Sequence, residues 1–122
     1  MFTLKEATLW FQSLDLSKKY LVVNFKGQPI GYFRLEYDTA SVKAGLDLAV
    51  NYRGFGLGYL AWLHFLKKCK EEKLVFVWLE VLGTNIRAYN LYRKLGFTPS
   101  DVENHIIQGG NVPSIQMIYH LR

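Results

Sequence analysis

The sequence has one cysteine, Cys69, and no apolar run as long as a membrane span, which needs about 20 residues. A single thiol excludes an internal disulfide framework and a cysteine-rich zinc site. Residues 1–15 lack the basic head and long apolar run of a secretory signal. Together these absences predict a soluble protein of the reducing cytoplasm, without a membrane partner.

Low-complexity segments and internal repeats are absent as well. The three histidines, His64, His105 and His120, do not have a metal-ligand spacing, so we expect no metal and give each a surface or packing role. Half of the residues are hydrophobic and 16% are aromatic, which excludes a disordered chain. The length suits one domain with one core, spanning residues 1–122.

The net charge is +5 and the isoelectric point is about 9.4, which favours anionic partners such as phosphorylated cofactors or nucleic acid. The basic residues are spread along the chain. The run at residues 67–73 also contains two glutamates and is interpreted as a solvated helix end. Neither an aromatic–basic strand signature nor a zinc spacing is present, so we expect no nucleic-acid partner.

The spacing of apolar residues predicts helices and strands that alternate in the second half of the chain. Predicted helices are residues 3–14, which open with a Thr-x-x-Glu capping pattern, 57–72 and 85–95, which Gly96 ends. Predicted strands flank a turn at residues 26–29, cover 41–50 and 74–82, and end as a pair joined by the loop 108–114. The continuous apolar run at 74–82 is typical of a strand buried on both faces.

The central strand–helix–strand unit, residues 42–82, predicts a right-handed crossover between parallel strands. The rest of the sheet is expected to be largely antiparallel. The predicted fold class is therefore α/β (α+β), with a mixed, mostly antiparallel sheet around one parallel strand–helix–strand unit.

Three alternating glycines, Gly54, Gly56 and Gly58, follow Arg53 between the predicted strand and helix. Backbone N–H groups converge at such a turn, the helix end adds positive charge, and glycines allow close approach, so the turn suits a phosphate or pyrophosphate. The spacing fits neither the dinucleotide fingerprint nor the Walker loop. A turn that serves only tight packing fits these residues equally well.

The turn resembles the acetyl-CoA-binding motif of the GNAT N-acetyltransferase family, in which two residues separate an Arg or Gln from the Gly-x-Gly or Gly-x-Ala that follows. Residues 79–97, LEVLGTNIRAYNLYRKLGF, are similar to a second signature of that family. Both motifs occur in order, and the resemblance covers nearly the whole chain. The family fold usually opens with a strand and a helix that this chain is expected to lack, as a natural short form or a truncation.

The resemblance implies that acetyl-CoA is the co-substrate. Its pyrophosphate would lie on N–H groups of the glycine turn, and its pantetheine arm beside the preceding strand, provided that the strands at 41–50 and 74–82 splay apart. An N–H group near Val50 would polarise the thioester carbonyl. The expected cofactor-binding residues are Leu48, Ala49, Val50, Arg53, Gly54, Phe55, Gly56, Leu57, Gly58, Tyr59, Asn85 and Tyr92. Asn85 is also expected to cap the helix that follows it.

Two residues of the second signature are the expected catalytic groups. Tyr92 matches the family position that donates a proton to sulfur, with simple packing as the alternative. Glu80 matches the glutamate implicated as base in ribosomal-protein N-terminal acetyltransferases. A carboxylate inside this apolar run is either paired or has its pKa raised by burial, and a raised pKa suits a base. Asp47 and a water molecule are the other candidate bases.

The resemblance predicts an N-acetyltransferase in which a primary amine attacks the thioester directly. The acceptor is expected to be a small molecule such as an amino sugar. Peptide or ribosomal-protein N-termini are the alternative acceptors, and a noncatalytic acyl-CoA-binding module or a basic nucleic-acid-binding domain is the alternative function. Exposed sheet edges favour a homodimer.

Overall fold

A computed structural model describes residues 9–10, 19–107 and 110–122 of the chain. The strands are β1 (Leu9–Trp10), β2 (Tyr20–Phe25), β3 (Gln28–Tyr37), β4 (Ser41–Leu48), β5 (Phe76–Leu82), β6 (Thr98–Ile107) and β7 (Gly110–His120). The helices are α1 (Leu57–Glu71) and α2 (Ile86–Leu95), and a short 3-10 turn covers Val50–Tyr52.

All seven strands belong to one sheet, in the order β1-β2-β3-β4-β5-β7-β6. The pair β4–β5 is parallel and is connected through α1, whereas the other described pairs are antiparallel. The predicted fold class is therefore confirmed: a mostly antiparallel sheet surrounds one parallel strand–helix–strand unit.

The helix predictions at 57–72 and 85–95 are confirmed within one residue at each end. Gly96 ends α2 with a φ of 112°, which an L side chain rarely adopts. The first hairpin is tighter than predicted, because Lys26 and Gly27 alone form its turn, with φ of 51° and 77°. The predicted loop at 108–114 is mostly strand, since β7 begins at Gly110, and residues 108–109 lie outside the described residues.

The helix predicted at residues 3–14 is wrong at Leu9 and Trp10, which pair antiparallel with Phe25 and Asn24 of β2. The remainder of that prediction lies outside the described residues. The edge of β2 offers unpaired backbone groups, and pairing with them outweighs the weak local helix preference of two residues.

An aromatic cluster joins α1 to one face of the sheet. Phe33 of β3 stacks on Phe65 of α1 at a centroid distance of 4.4 Å, and Trp62 meets Phe33 edge-on at 5.0 Å. These three side chains are at most 1% exposed. Trp62 also contacts Tyr92 of α2 at 5.6 Å, so both helices cover the same face.

The opposite face of the sheet, here called the open face, is left uncovered by the described residues. On β5, Val77, Leu79 and Val81 are buried beneath the helices, whereas Glu80 and Leu82 are exposed. The prediction that this strand is buried on both faces is therefore wrong. An apolar run predicts a strand but not whether a second layer covers it.

Candidate functional site

The parallel strands β4 and β5 pair at their first residues and then separate. Ser41, Val42 and Lys43 pair with Phe76, Val77 and Trp78, after which β4 continues to Leu48 and β5 to Leu82 without further pairing. The splay that the pantetheine prediction requires is thus present. We call the gap between residues 44–48 and 79–82 the β4–β5 opening.

The glycine turn connects the end of β4 to the start of α1. Gly54 and Gly56 have φ of 84° and 81°, and Gly56 is the N-cap of α1. The first helical turn has neither a side-chain cap nor an acidic residue. The N–H groups that open α1 have no intrahelical acceptor, because no preceding turn supplies one. No acidic side chain of this turn neutralises the positive end of the helix dipole.

A cleft of about 210 Å³ lies between the end of β4, the start of α1 and α2. We call it the helix-side cleft. It brings together five residues singled out from the sequence, and three apolar residues complete it. Its lining is Leu46, Asp47, Leu48, Arg53, Gly58, Trp62, Leu91 and Tyr92.

The backbone at the end of β4 has a defined orientation. Ala49 donates its N–H to the carbonyl of Ile30 at 2.8 Å and accepts from the N–H of Tyr52 at 2.9 Å. The N–H of Ala49 is therefore engaged within the chain and does not face pantetheine, whereas a second hydrogen bond to its carbonyl stays a prediction. Adjacent residues of a strand direct their N–H and C=O groups to opposite edges, so those of Leu48 face the β4–β5 opening.

Arg53 is engaged with the same stretch of backbone. Its Nε donates to the carbonyl of Leu48 at 2.9 Å, and its own N–H donates to the carbonyl of Val50 at 3.2 Å. The N–H of Arg53 is therefore removed from the set of predicted pyrophosphate donors. Its guanidinium is held at the wall of the helix-side cleft.

The rest of the glycine turn combines one buried anchor with exposed residues. Leu57 is 1% exposed and fixes the start of α1 in the core, whereas Val50 and Phe55 are 74% and 47% exposed. Lys94 of α2 lies over the ring of Tyr59, with its Nζ 4.7 Å from the centroid. A second cation therefore stands beside the first turn of α1.

Tyr92 lies on α2 with its ring against Trp62 at 5.6 Å and Phe97 at 5.9 Å. Burial raises the pKa of the Tyr92 hydroxyl above its usual 10.0, the Arg34 guanidinium lowers it, and the Asp47 carboxylate raises it. The net effect is upward, so the hydroxyl keeps its proton at neutral and mildly alkaline pH. Tyr92 lines the helix-side cleft, and its role as a proton donor stays a prediction.

Asn85 caps α2, as the sequence predicts. Its Oδ1 accepts a hydrogen bond from the N–H of Ala88 at 3.1 Å. This bond satisfies one of the free donors of the first turn. The side-chain amide NH₂ of Asn85 is separate from this bond, and its contact with a pantetheine arm stays a prediction.

Glu80 lies on the open face and forms an ion pair with Lys43 at 3.2 Å, with 39% of its side chain exposed. Of the two alternatives for this carboxylate, the charged partner is thus observed, and burial is wrong because no second layer covers β5 among the described residues. Lys43 also lies 5.0 Å from the centre of the Trp78 ring. The pair lines a charged cleft of about 240 Å³ together with Arg34 and Glu36.

Asp47 is held by Arg34 of the neighbouring strand, with 2.7 Å between Nε and Oδ2. Gly45 leaves room for this arrangement, since a Cβ there would lie 2.7 Å from an Arg34 nitrogen and the guanidinium would have to shift. Sequence reasoning missed Arg34 and Lys43. Alternation along β4 places Lys43, Gly45 and Asp47 on one face, but their partners depend on the pairing register, which the pattern does not reveal.

His64 and His120 are not among the residues that line these clefts. His64 is half-buried rather than exposed, and burial together with Lys67 and Lys68 lowers its pKa. Among the described residues, no three His, Cys, Asp or Glu side chains form a group that could hold a metal ion. None of the helices in the described part of the chain has the length and apolarity needed to cross a bilayer.

Over residues 2–97 the sequence matches the model of the acetyltransferase (GNAT) family. The chain belongs to this family. The paired motifs of the sequence and the splay of β4 from β5 are thus features of a GNAT chain.

The individual relatives share little sequence identity with this chain. Streptothricin acetyltransferase from Streptomyces lavendulae is 25% identical over 96 residues, which are 76% of this GNAT chain and 51% of the relative. A Salmonella typhimurium protein, whose structure was solved with its cofactor acetyl-CoA, superposes with a TM-score of 0.73 at 18% identity, over 84% of this chain and 64% of that one. Ribosomal-protein-alanine N-acetyltransferase from Brucella melitensis gives 0.71 at 21% identity, over 83% and 67%.

These similarities differ in what they establish. The structural neighbours share the fold at low sequence identity. The GNAT chain spans about half the length of the curated relative that it matches.

Proposed function

We propose that the chain is an acetyl-CoA-dependent N-acetyltransferase. The observation that carries this proposal is the helix-side cleft, where the edge of β4, the start of α1 and the Tyr92 hydroxyl lie around one space. Family membership supports the same reaction class. A thioester held in this cleft would have a proton donor on one side and backbone hydrogen-bonding groups on the other.

The cofactor would bind along the β4–β5 opening. Its pyrophosphate would accept hydrogen bonds from N–H groups of the glycine turn, where the helix end supplies positive charge. Arg53 and Lys94 would add cations near that turn. The pantetheine amides would pair with the edge of β4 at Leu48, where a neighbouring strand would otherwise lie. The Leu48 carbonyl, which accepts from Arg53 Nε, would then accept a second hydrogen bond.

The reaction forms a C–N bond and breaks a C–S bond. The neutral amine attacks the thioester carbonyl, the tetrahedral intermediate collapses, and the thiolate of coenzyme A leaves. Tyr92 would give its proton to that sulfur, because its hydroxyl stays protonated at working pH. The proton that the amine nitrogen loses goes to a base or to water.

The base is best sought among the two carboxylates beside the opening. Asp47 lines the same cleft as Tyr92 and acts on its hydroxyl electrostatically. Glu80 lies in the neighbouring charged cleft, and its ion pair with Lys43 would have to open before it could accept a proton. We therefore place Asp47 ahead of Glu80, with a water relay as the third possibility.

The acceptor we propose is the primary amine of a small molecule. The names of the relatives suggest both small molecules and proteins, since one is a streptothricin acetyltransferase and another a ribosomal-protein-alanine N-acetyltransferase. An amino sugar and a peptide N-terminus are therefore the two reference acceptors for any assay of this chain.

The test compares thermal stabilisation of the protein by acetyl-CoA, coenzyme A, NAD and ATP, followed by thiol release with a panel of amines. We expect selective stabilisation by acetyl-CoA and coenzyme A. Tyr92→Phe should keep this stabilisation and lower kcat by about a hundredfold or more, since only the proton donor is removed. Its ring still packs on Trp62 and Phe97.

Each outcome decides between the candidate functions. Stabilisation without turnover for any amine would indicate a noncatalytic acyl-CoA-binding module. An unchanged kcat in Tyr92→Phe would remove the tyrosine from the mechanism. Salt-dependent binding of nucleic acid, with no effect of acetyl-CoA, would reject the acetyltransferase proposal altogether.

A further inference from the structure

The open face carries a second and larger cavity, of about 700 Å³, beside the end of β4. We call it the open-face cavity. Side chains from β2, β3 and β4 form its walls, chiefly Tyr20, Val22, Ile30, Tyr32 and Asp47.

The walls of this cavity are apolar and aromatic. Tyr20 and Tyr32 meet edge-to-face, with ring centroids 5.6 Å apart. Tyr20, Val22 and Tyr32 are 61%, 52% and 39% exposed, so together they form a patch of apolar surface. Asp47 is the one charged side chain among the described residues of the lining. The neighbouring cleft on the same face contrasts with it, since Arg34, Glu36, Lys43 and Glu80 make that cleft strongly charged.

The open-face cavity and the helix-side cleft share two residues. Asp47 and Leu48 belong to the lining of both. Asp47 pairs with Tyr32 across β3 and β4, and its charge also raises the pKa of the Tyr92 hydroxyl on the helix side. A nitrogen held at Asp47 would therefore stand at the β4–β5 opening, next to the place proposed for the thioester.

We propose that the open-face cavity is the acceptor site, and that it takes a primary amine carried on an apolar body of about the size of an aromatic ring. This inference rests on the proposed acetyltransferase function. The ammonium group is drawn to Asp47 by charge, and the apolar body packs against Tyr20, Val22 and Tyr32. A sugar would need many hydrogen-bonding partners, and the described side chains of the lining supply only two tyrosine hydroxyls and Asp47.

The ion pair between Arg34 and Asp47 is compatible with this role. It uses Oδ2 of the carboxylate, and its two side chains are 58% and 44% exposed. Exposed pairs of this kind contribute little free energy, so an incoming ammonium group can share or replace Arg34 at small cost. Arg34 then stays over Gly45, within the range where it acts on the Tyr92 hydroxyl.

The experiment compares 2-phenylethylamine, glucosamine and a short peptide with an N-terminal alanine. Initial rates of thiol release are measured with the full chain at saturating acetyl-CoA. We expect kcat/KM for 2-phenylethylamine to exceed that for the other two amines by at least tenfold. A higher kcat/KM for glucosamine or for the peptide would overturn the inference and leave the proposed acetyltransferase function intact.

Variants locate the acceptor in the cavity. Tyr32→Ala should raise KM for 2-phenylethylamine about tenfold, because it removes the central aromatic wall, and should leave KM for acetyl-CoA unchanged. Tyr32→Phe should restore the wild-type KM, and Tyr20→Ala gives a second, more exposed test of the same wall.

Val75→Ala is the matched control, since Val75 is 41% exposed and outside the lining of all three clefts. An unchanged KM in both tyrosine-to-alanine variants would contradict the inference.

A direct titration separates this inference from the proposed function. Binding of 2-phenylethylamine to the protein is measured by calorimetry with coenzyme A present and absent. If acetyl-CoA stabilises the protein but 2-phenylethylamine neither binds nor reacts, the acceptor inference falls and the cofactor site stands. If 2-phenylethylamine binds in a Tyr32-dependent way but acetyl-CoA does not bind, the ligand class is supported and the acetyltransferase proposal fails.

Discussion

Burial in the core changes the acidity and the reactivity of the Cys69 thiol. It lies on the buried face of α1 and is fully inaccessible to solvent. Burial, with a smaller effect from Glu72, raises the pKa of its thiol from 9.0 to about 12. Because the thiolate is the reactive form, Cys69 is expected to be inert toward thiol reagents in the folded protein.

The same shift makes folding stability depend on alkaline pH. The unfolded chain loses the Cys69 proton near pH 9 and the folded chain near pH 12. Stability is therefore lost as pH rises through this window, by about 2 kcal/mol between pH 8 and 10.5. Urea unfolding midpoints at both pH values should show a steeper loss for wild type than for Cys69→Ala. Parallel pH dependences would contradict the burial of the thiol.

At this scale the structure gives the positions of the predicted residues, and their roles in binding and catalysis stay predictions. Tyr92 and Asp47 line the helix-side cleft, and Asn85 caps α2, as expected. Glu80 was expected to be either paired or buried, and it is exposed and paired with Lys43. An apolar run shows what a strand can bury, but the layer that would cover it comes from elsewhere in the chain.

Among the elements, the first turn of α1 combines a helix start with a wall of the helix-side cleft. Gly58 is the second residue of this helix. A Cβ at Gly58 would meet Leu48 Cδ1 at 3.7 Å, an ordinary van der Waals contact, so alanine fits there. Its methyl group would however stand at the cleft wall, where the cofactor is proposed to pass.

Gly58→Ala should therefore separate stability from cofactor binding. Alanine favours the helix by up to about 1 kcal/mol, so the unliganded variant should melt at a higher temperature than wild type. Its stabilisation by acetyl-CoA should be smaller, with Kd raised about tenfold, or roughly 1.4 kcal/mol. Lys67→Ala is the control, because it changes an exposed position of the same helix away from the cleft. Equal acetyl-CoA affinity in Gly58→Ala would place the cofactor elsewhere.

The sequence predicted the two helices best, since each has apolar residues at helical spacing and a glycine at one end. Both described helices and their glycine boundaries match the prediction, because helical spacing and left-handed glycines are local signals. The strand at Leu9–Trp10 and the full length of β7 were missed. Their extent depends on a partner strand, which local patterns do not specify.

At the scale of the whole molecule, the sheet consists of two parts. Strands β1–β4 form one part and β5–β7 the other, and the pairing between them is confined to Ser41–Lys43 with Phe76–Trp78. Helix α1 connects the two parts along the chain and packs on Phe33 through Trp62 and Phe65. The proposed active site lies at the end of the sheet where the two parts have separated.

This division predicts a pattern of amide hydrogen exchange. The N–H groups of Leu46 and Leu48 face the β4–β5 opening, so they should exchange faster than the N–H of Ala49, which is bonded to Ile30. Acetyl-CoA should slow exchange at Leu46 and Leu48 if pantetheine pairs with this edge. Protection confined to the glycine turn would show that the cofactor binds there without pairing with β4.

The confinement of β4–β5 pairing to one end also has a mechanical consequence. Two parts of a sheet that are joined at one end deform most easily in the direction that changes the distance between their free ends. In this chain the free ends border the proposed reaction site, so the width of that site depends less on the protein's own backbone than on what is bound between β4 and β5. A bound cofactor would hold the two ends at a fixed distance, and its release would make that distance variable again.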